Sequence, residues 1–222
     1  MITEQDGNAN FFIGGAFDNA KSSRSPIYAA RTSLLKITGN LETPYDKTFT
    51  WGKATRNGGI LKQILMFPIN FIKAIFGIKG HSYAFKHIKN LRDTGKISQS
   101  ICLYGHSWGG AASLRLCNEL EEMGISVEQV NTFDPVSRIS RVGKPSGSNA
   151  EWNNYYPSSR TRKFPDTIAK LGSIWGKRQG ADNNYLVTNW INKQEGKSGH
   201  MGVLYPYEKK ADRLMSIPTK KH

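Results

Sequence analysis

Cysteine is scarce in this chain: Cys102 and Cys117 are the two among 222 residues. Two thiols cannot build a disulfide framework, so a buried apolar core must carry the fold, and the pair reads as buried free thiols. No run of roughly 18 uncharged apolar residues exists, so a transmembrane helix is not expected. The segment Met1-Ile2-Thr3-Glu4-Gln5-Asp6 lacks a basic n-region and an apolar h-region, so no secretory signal is expected and synthesis as a cytoplasmic protein follows. Acidic residues are also few. The chain has 17 against 31 lysines and arginines, a formal net charge of +14. That excess favours anionic partners: nucleic acid, acidic lipid surfaces or acidic substrates. An aromatic RNA-binding signature and zinc-ligand spacing are both missing, which argues against nucleic acid. The length suits one domain over 1–222, and there is no internal repeat or low-complexity tract.

What is present is an alternation of strand-like and helix-like segments. Asn10-Phe11-Phe12-Ile13-Gly14-Gly15 reads as a buried strand ending in a glycine turn. Ser25-Pro26 opens a helix to about Thr38, with serine as N-cap and proline in the first helical position. Residues 47–51 alternate like a second strand. Residues 81–94 form an amphipathic helix, with Tyr83, Ala84, His87, Ile88 and Leu91 on one face and Gly95 as its stop. Ile101 to Tyr104 is a short apolar strand, followed by a helix to about Met123 closed by Gly124. Residues 127–133 form another strand, ending at Asp134-Pro135. Trp152 to Tyr156 and Tyr185 to Trp190 are further strands. This order predicts an α/β fold with a mostly parallel sheet and helices on both faces. In such sheets the functional sites lie beyond the C-terminal ends of the strands.

Gly105-His106-Ser107-Trp108-Gly109-Gly110 sits at such an end. Strand, G-x-S-x-G, then helix former is the context of a nucleophile elbow. The turn must be tight enough to hold the serine in a strained backbone conformation, with small residues on either side letting strand and helix approach. The first N–H groups of the helix, that of Trp108 among them, face the space where an oxyanion would form. The turn Gly14-Gly15-Ala16-Phe17 is the natural second donor, near Gly15; a plain tight turn is the other reading.

A serine hydroxyl needs a base to take its proton. Of five histidines, His106 adjoins the serine within the elbow, His81 and His87 lie on the preceding helix, and His222 is the last residue. His200 remains, in the glycine-flanked loop Ser198-Gly199-His200-Met201-Gly202. The acid that would fix its tautomer is Asp134, at the end of the strand after the elbow unit. Asp182 is the alternative, although an aspartate before two asparagines reads more naturally as a turn residue. No metal or cofactor is required.

These motifs together resemble the α/β-hydrolase superfamily, and within it bacterial lipases, including phospholipase effectors of type VI secretion systems. The resemblance rests on Phe12-Ile13-Gly14-Gly15, Tyr104 to Gly110, Phe133-Asp134-Pro135-Val136-Ser137, the late His200, the aromatic segment 151–156 and the stretch from Trp175 to Asp182. It implies an acyl-ester hydrolase with the chain order Ser107, Asp134, His200. In many members the acid follows a later strand than this one, which keeps Asp182 in play. The resemblance also implies an immunity protein or secretion machinery as partners, and delivery to a target cell envelope by a route that reads no N-terminal signal.

The apolar segment Ile60 to Ile78, within an insertion of about 55–79, bears on the substrate. Pro68 lies near its centre and lysines at its edges, which suits a lid or an interfacial anchor; a buried helical hairpin would read the same way. Basic clusters occur at 160–163, Lys177-Arg178, Lys209-Lys210 and Lys220-Lys221. An apolar insertion beside an acyl-transfer site on a basic protein points to phospholipid esters at an anionic membrane surface. A soluble carboxylesterase or thioesterase, and a catalytically silent membrane-binding protein on a hydrolase scaffold, are the alternatives.

Overall fold

The computed structural model describes residues 9–15, 47–49, 81–98, 100–137, 143–157, 176–187 and 219–221. The expected helix at 25–38, the insertion at 55–79, the strand's extension to Trp190 and the loop carrying His200 lie outside them. The described strands are β1 (Ala9–Ile13), β2 (Lys47–Phe49), β3 (Ile101–His106), β4 (Val127–Phe133), β5 (Glu151–Pro157), β6 (Asn183–Val187) and β7 (Thr219–Lys221). The two helices are α1 (Ser82–Asp93) and α2 (Trp108–Glu122). The strands form one sheet in the order β2-β1-β3-β4-β5-β6-β7. Pairings from β2 through β6 are parallel, and β7 closes the edge antiparallel to β6. The expected α/β architecture with a mostly parallel sheet is present.

Alternation along each strand sorts its side chains onto two faces. One face carries Phe11, Leu103, Val130 and Trp152, in register across four strands. These side chains are buried, and Ala84, Ile88 and Leu91 of α1 and Leu116, Cys117 and Leu120 of α2 pack into the same core. His87 meets Phe11 and Phe49 edge-on, at centroid distances of 6.4 and 5.7 Å. Both cysteines are buried thiols outside any disulfide. Burial pushes the Cys117 thiol up to about 12. The opposite face carries stacked rings: Phe12 on Tyr104, Phe133 on Tyr155, and Tyr155 on Tyr185.

Glycines end both helices where the sequence places them. Gly95 and Gly124 have φ of +65° and +73°, the left-handed turn that an L side chain resists. At the end of α2, the Ile125 N–H donates to the Leu120 carbonyl at 2.9 Å and that of Gly124 to Glu121 at 2.9 Å.

β5 and β6 depart from an apolar pattern. Asn153, Asn154, Asn183 and Asn184 are buried, and each amide has partners on the neighbouring strands. On the core face the Trp152 indole N–H donates to Thr132 Oγ1 at 3.0 Å, and the Thr132 hydroxyl donates to Asn154 Oδ1 at 3.1 Å. The Asn154 amide then donates to Asn184 Oδ1 at 2.9 Å and to the Gly176 carbonyl at 2.7 Å. On the other face Asn183 donates to Asn153 Oδ1 and Glu151 Oε1. Burying amides is tolerable only when they are paired in this way.

Candidate active site

Ser107 stands between the last residue of β3 and the first of α2, with φ 58° and ψ −126°. No ordinary strand or helix residue occupies that region, and Ser107 is held there from three sides. Its N–H donates to the Phe133 carbonyl at 3.0 Å, extending the β3–β4 ladder by one bond. Its carbonyl accepts from Gly110 N–H at 3.0 Å and Val136 N–H at 3.1 Å. The close approaches demand glycine. A Cβ on Gly105 would lie 2.3 Å from the Gly109 carbonyl oxygen, and one on Gly109 would lie 2.1 Å from that of Ile13. The Ser113 hydroxyl bonds the Gly109 carbonyl at 2.9 Å and locks the first turn of α2, a role the sequence did not signal.

The turn after β1 presses on this serine. A Cβ on Gly15 would come within 2.6 Å of Ser107 Cβ and 3.1 Å of its hydroxyl oxygen. Only a bare backbone fits, so Gly15 and the Trp108 end of α2 flank Ser107 from two sides. Trp108 is buried, as is Ser107 itself.

Asp134 follows β4 directly and is fully buried. Its φ is 44°, a conformation Asp tolerates better than most residues. Its N–H donates to the Tyr155 carbonyl at 2.8 Å, the last regular bond toward β5. Phe133 and Val136 bond to the backbone of Ser107, so the segment carrying Asp134 lies beside the elbow at the same sheet end.

Asp182 lies elsewhere. It precedes β6 and falls in register with Trp152, hence with Val130 and Leu103. Ser107 is four residues farther along β3 and three strands across, roughly 13 Å and 14 Å at ordinary strand spacings. Both Asp182 oxygens are 2.8 Å from Lys144 Nζ, and one accepts the Trp152 N–H at 2.8 Å. Burial pushes this carboxyl up, but the Lys144 ammonium and the Trp152 N–H outweigh it and hold the group below the usual range. Its surroundings are those of a structural clamp between β5, β6 and the segment before β5.

Three histidines have defined surroundings. His81, almost wholly buried, has Nε2 3.0 Å from Glu119 Oε1 of α2. His87 is wedged against Phe11 and Phe49. His106 is buried in register with Phe133. His200 and His222 lie outside the described residues. Among the described residues no cluster of His, Cys, Asp and Glu could hold a metal ion, and no helix is long and apolar enough to cross a membrane.

No protein-family model matches the chain, and no curated protein matches it. Among solved structures it is similar to the crystal structure of ClbQ from the colibactin NRPS/PKS pathway, at 12% identity and a TM-score of 0.31. That likeness covers 91% of this chain and 68% of the other. It is too loose to carry a functional argument, which rests on the elbow itself.

Proposed function

We propose that this protein is a serine hydrolase of acyl esters, and that its substrates are membrane phospholipids. The observation that carries the reading is the backbone of Ser107: a strained, non-glycine residue at a strand-to-helix junction, pressed by a glycine turn. Strain of this kind persists at functional sites because the surroundings over-determine it. In this reading Ser107 Oγ attacks the ester carbonyl, while His200 takes the hydroxyl proton and returns it to the leaving alcohol. Asp134 orients His200; its burial and its place beside the elbow support it over Asp182, which Lys144 and Trp152 occupy. N–H groups at Trp108 and Gly15 hold the oxyanion, and water then releases the acyl group from Ser107. Phospholipid, rather than a soluble ester, is favoured by the basic charge and the apolar 60–78 segment.

The test is incubation with vesicles of mixed phospholipids and analysis of the products. The native protein releases fatty acid, and Ser107→Ala loses that activity by at least about a thousandfold while keeping its fold. Turnover that survives in Ser107→Ala rules out the mechanism. Turnover of short soluble esters with no gain from vesicles assigns a soluble esterase instead.

A further inference from the structure

The ladder between β3 and β4 slips by one residue beside the nucleophile. In a regular parallel pair, a residue that donates to one strand neighbour accepts from the residue two positions farther along it. Ser107 donates to the Phe133 carbonyl, so its own carbonyl should accept from residue 135. Residue 135 is proline and has no N–H. The bond goes instead to Val136, at 3.1 Å. One extra residue is therefore looped out between Phe133 and Val136, and extra residues of this kind re-aim side chains at strand ends. The residue displaced is Asp134, with φ of 44°, while its own N–H still bonds Tyr155 on β5. The bulge is thus pinned on both sides, to β5 before Pro135 and to Ser107 after it. The helix makes room for the ring: a Cβ on Gly110 would sit 2.8 Å from Pro135 Cβ and 3.2 Å from its Cα. Gly110 lies just beyond the G-x-S-x-G motif, whose spacing does not itself require glycine there.

We infer that Pro135 is a positioning residue: by withholding an N–H from Ser107 it creates the bulge that aims the Asp134 carboxylate, and Gly110 is the space that lets it do so. This rests on the hydrolase reading above, in which Asp134 acts through a histidine. Restoring the N–H with Pro135→Ala lets residue 135 bond Ser107 and draws Asp134 back toward regular strand geometry.

The experiment is a double-mutant cycle on the rate at which a fluorophosphonate probe labels Ser107, followed by intact mass and peptide mapping. Proteins compared are the native chain, Pro135→Ala, Asp134→Asn and the double variant, with Ser107→Ala as control. Pro135→Ala slows labelling on the order of a hundredfold, the usual loss for a catalytic group displaced by about 1 Å. In the Asp134→Asn background the same change alters the rate less than about threefold, because there is no carboxylate left to misaim. The acid limb of the rate–pH profile moves to lower pH in both single variants, since an imidazole without its carboxylate is more readily deprotonated. Should Pro135→Ala not fold, Gly110→Ala takes its place in the cycle: its new methyl group pushes on the proline ring, and the same non-additivity is expected. A native labelling rate in Pro135→Ala, equal slowing in both backgrounds, or an unmoved acid limb overturns the inference alone. A native chain that does not label, or labelling that survives Ser107→Ala, overturns the hydrolase reading and the inference with it.

Discussion

Ser107 and Asp134 are, among the described residues, the two non-glycine positions with φ above zero. Each such conformation costs on the order of 1–3 kcal/mol. Both lie at the same sheet end, and two backbone hydrogen bonds, from Ser107 to Phe133 and from Val136 to Ser107, tie their segments together. Strain in two adjoining polar residues is what a purely structural turn would not need. It makes a separable prediction. Ser107→Gly removes the hydroxyl and also the Cβ that makes φ 58° unfavourable, whereas Ser107→Ala removes the hydroxyl alone. Both variants are inactive, yet Ser107→Gly is more stable than Ser107→Ala by about 1 kcal/mol, net of the entropy glycine adds to the unfolded chain. Urea unfolding of the two measures this directly. Equal stability would mean that the elbow is unstrained and that the functional argument from its backbone fails.

At the scale of elements, sequence and structure agree where local chemistry decides. β1 and β3 follow from apolar runs ended by glycine, β4 from a mixed stretch with Val127, Val130 and Phe133 ended by Asp-Pro, and α1 from its apolar face and Gly95. The elbow was legible because a strand, a serine between glycines and a helix adjoin in sequence. α2 begins at Trp108, directly after the serine, since the glycines that follow pack against backbone and need no side chain. What was not legible depends on distant partners. β5 runs from Glu151 to Pro157, one residue beyond the expected Trp152–Tyr156 at each end, and β6 starts at Asn183, two residues before the expected Tyr185. Asn183 and Asn184 read as turn residues until the neighbouring strand supplies another amide. Asp182 is of the same kind: its partner Lys144 is 38 residues away. The slip at Pro135 is also invisible without knowing that residue 135 faces Ser107. The amide row has a measurable weight. Asn154 is fully buried and bonds Thr132, Asn184 and Gly176. Asn154→Ala leaves those groups buried without it and costs about 3 kcal/mol. The denaturation midpoint falls accordingly, with an unchanged slope. A loss below about 1 kcal/mol would show that water reaches the row and that it is not part of the core.

At the scale of the whole molecule the dominant fact is charge: +14 on 222 residues. Self-repulsion of that size destabilises a compact chain, a cost that an anionic membrane would offset in the proposed role. The proposed catalysis at the elbow needs no such charge, because ester hydrolysis by a serine is indifferent to the sign of the surface around it. An enzyme that must dwell on a membrane does gain from it, at about 1 kcal/mol for each lysine or arginine near an anionic bilayer. The two sources of attraction differ in their response to salt. Screening shortens the reach of surface charges from about 10 Å at 0.1 M to about 3 Å at 1 M, while burial of apolar side chains is not weakened. Sedimentation of Ser107→Ala with vesicles, in which no lipid is consumed, separates them. Vesicles containing phosphatidylserine retain the protein at 0.1 M salt far better than phosphatidylcholine alone, and most of that difference disappears at 1 M. Retention that persists at 1 M on both lipids assigns the binding to apolar insertion, with 60–78 the segment to delete next. No retention on either lipid at low salt would leave the proposed hydrolase without a membrane and transfer its substrate to a soluble ester.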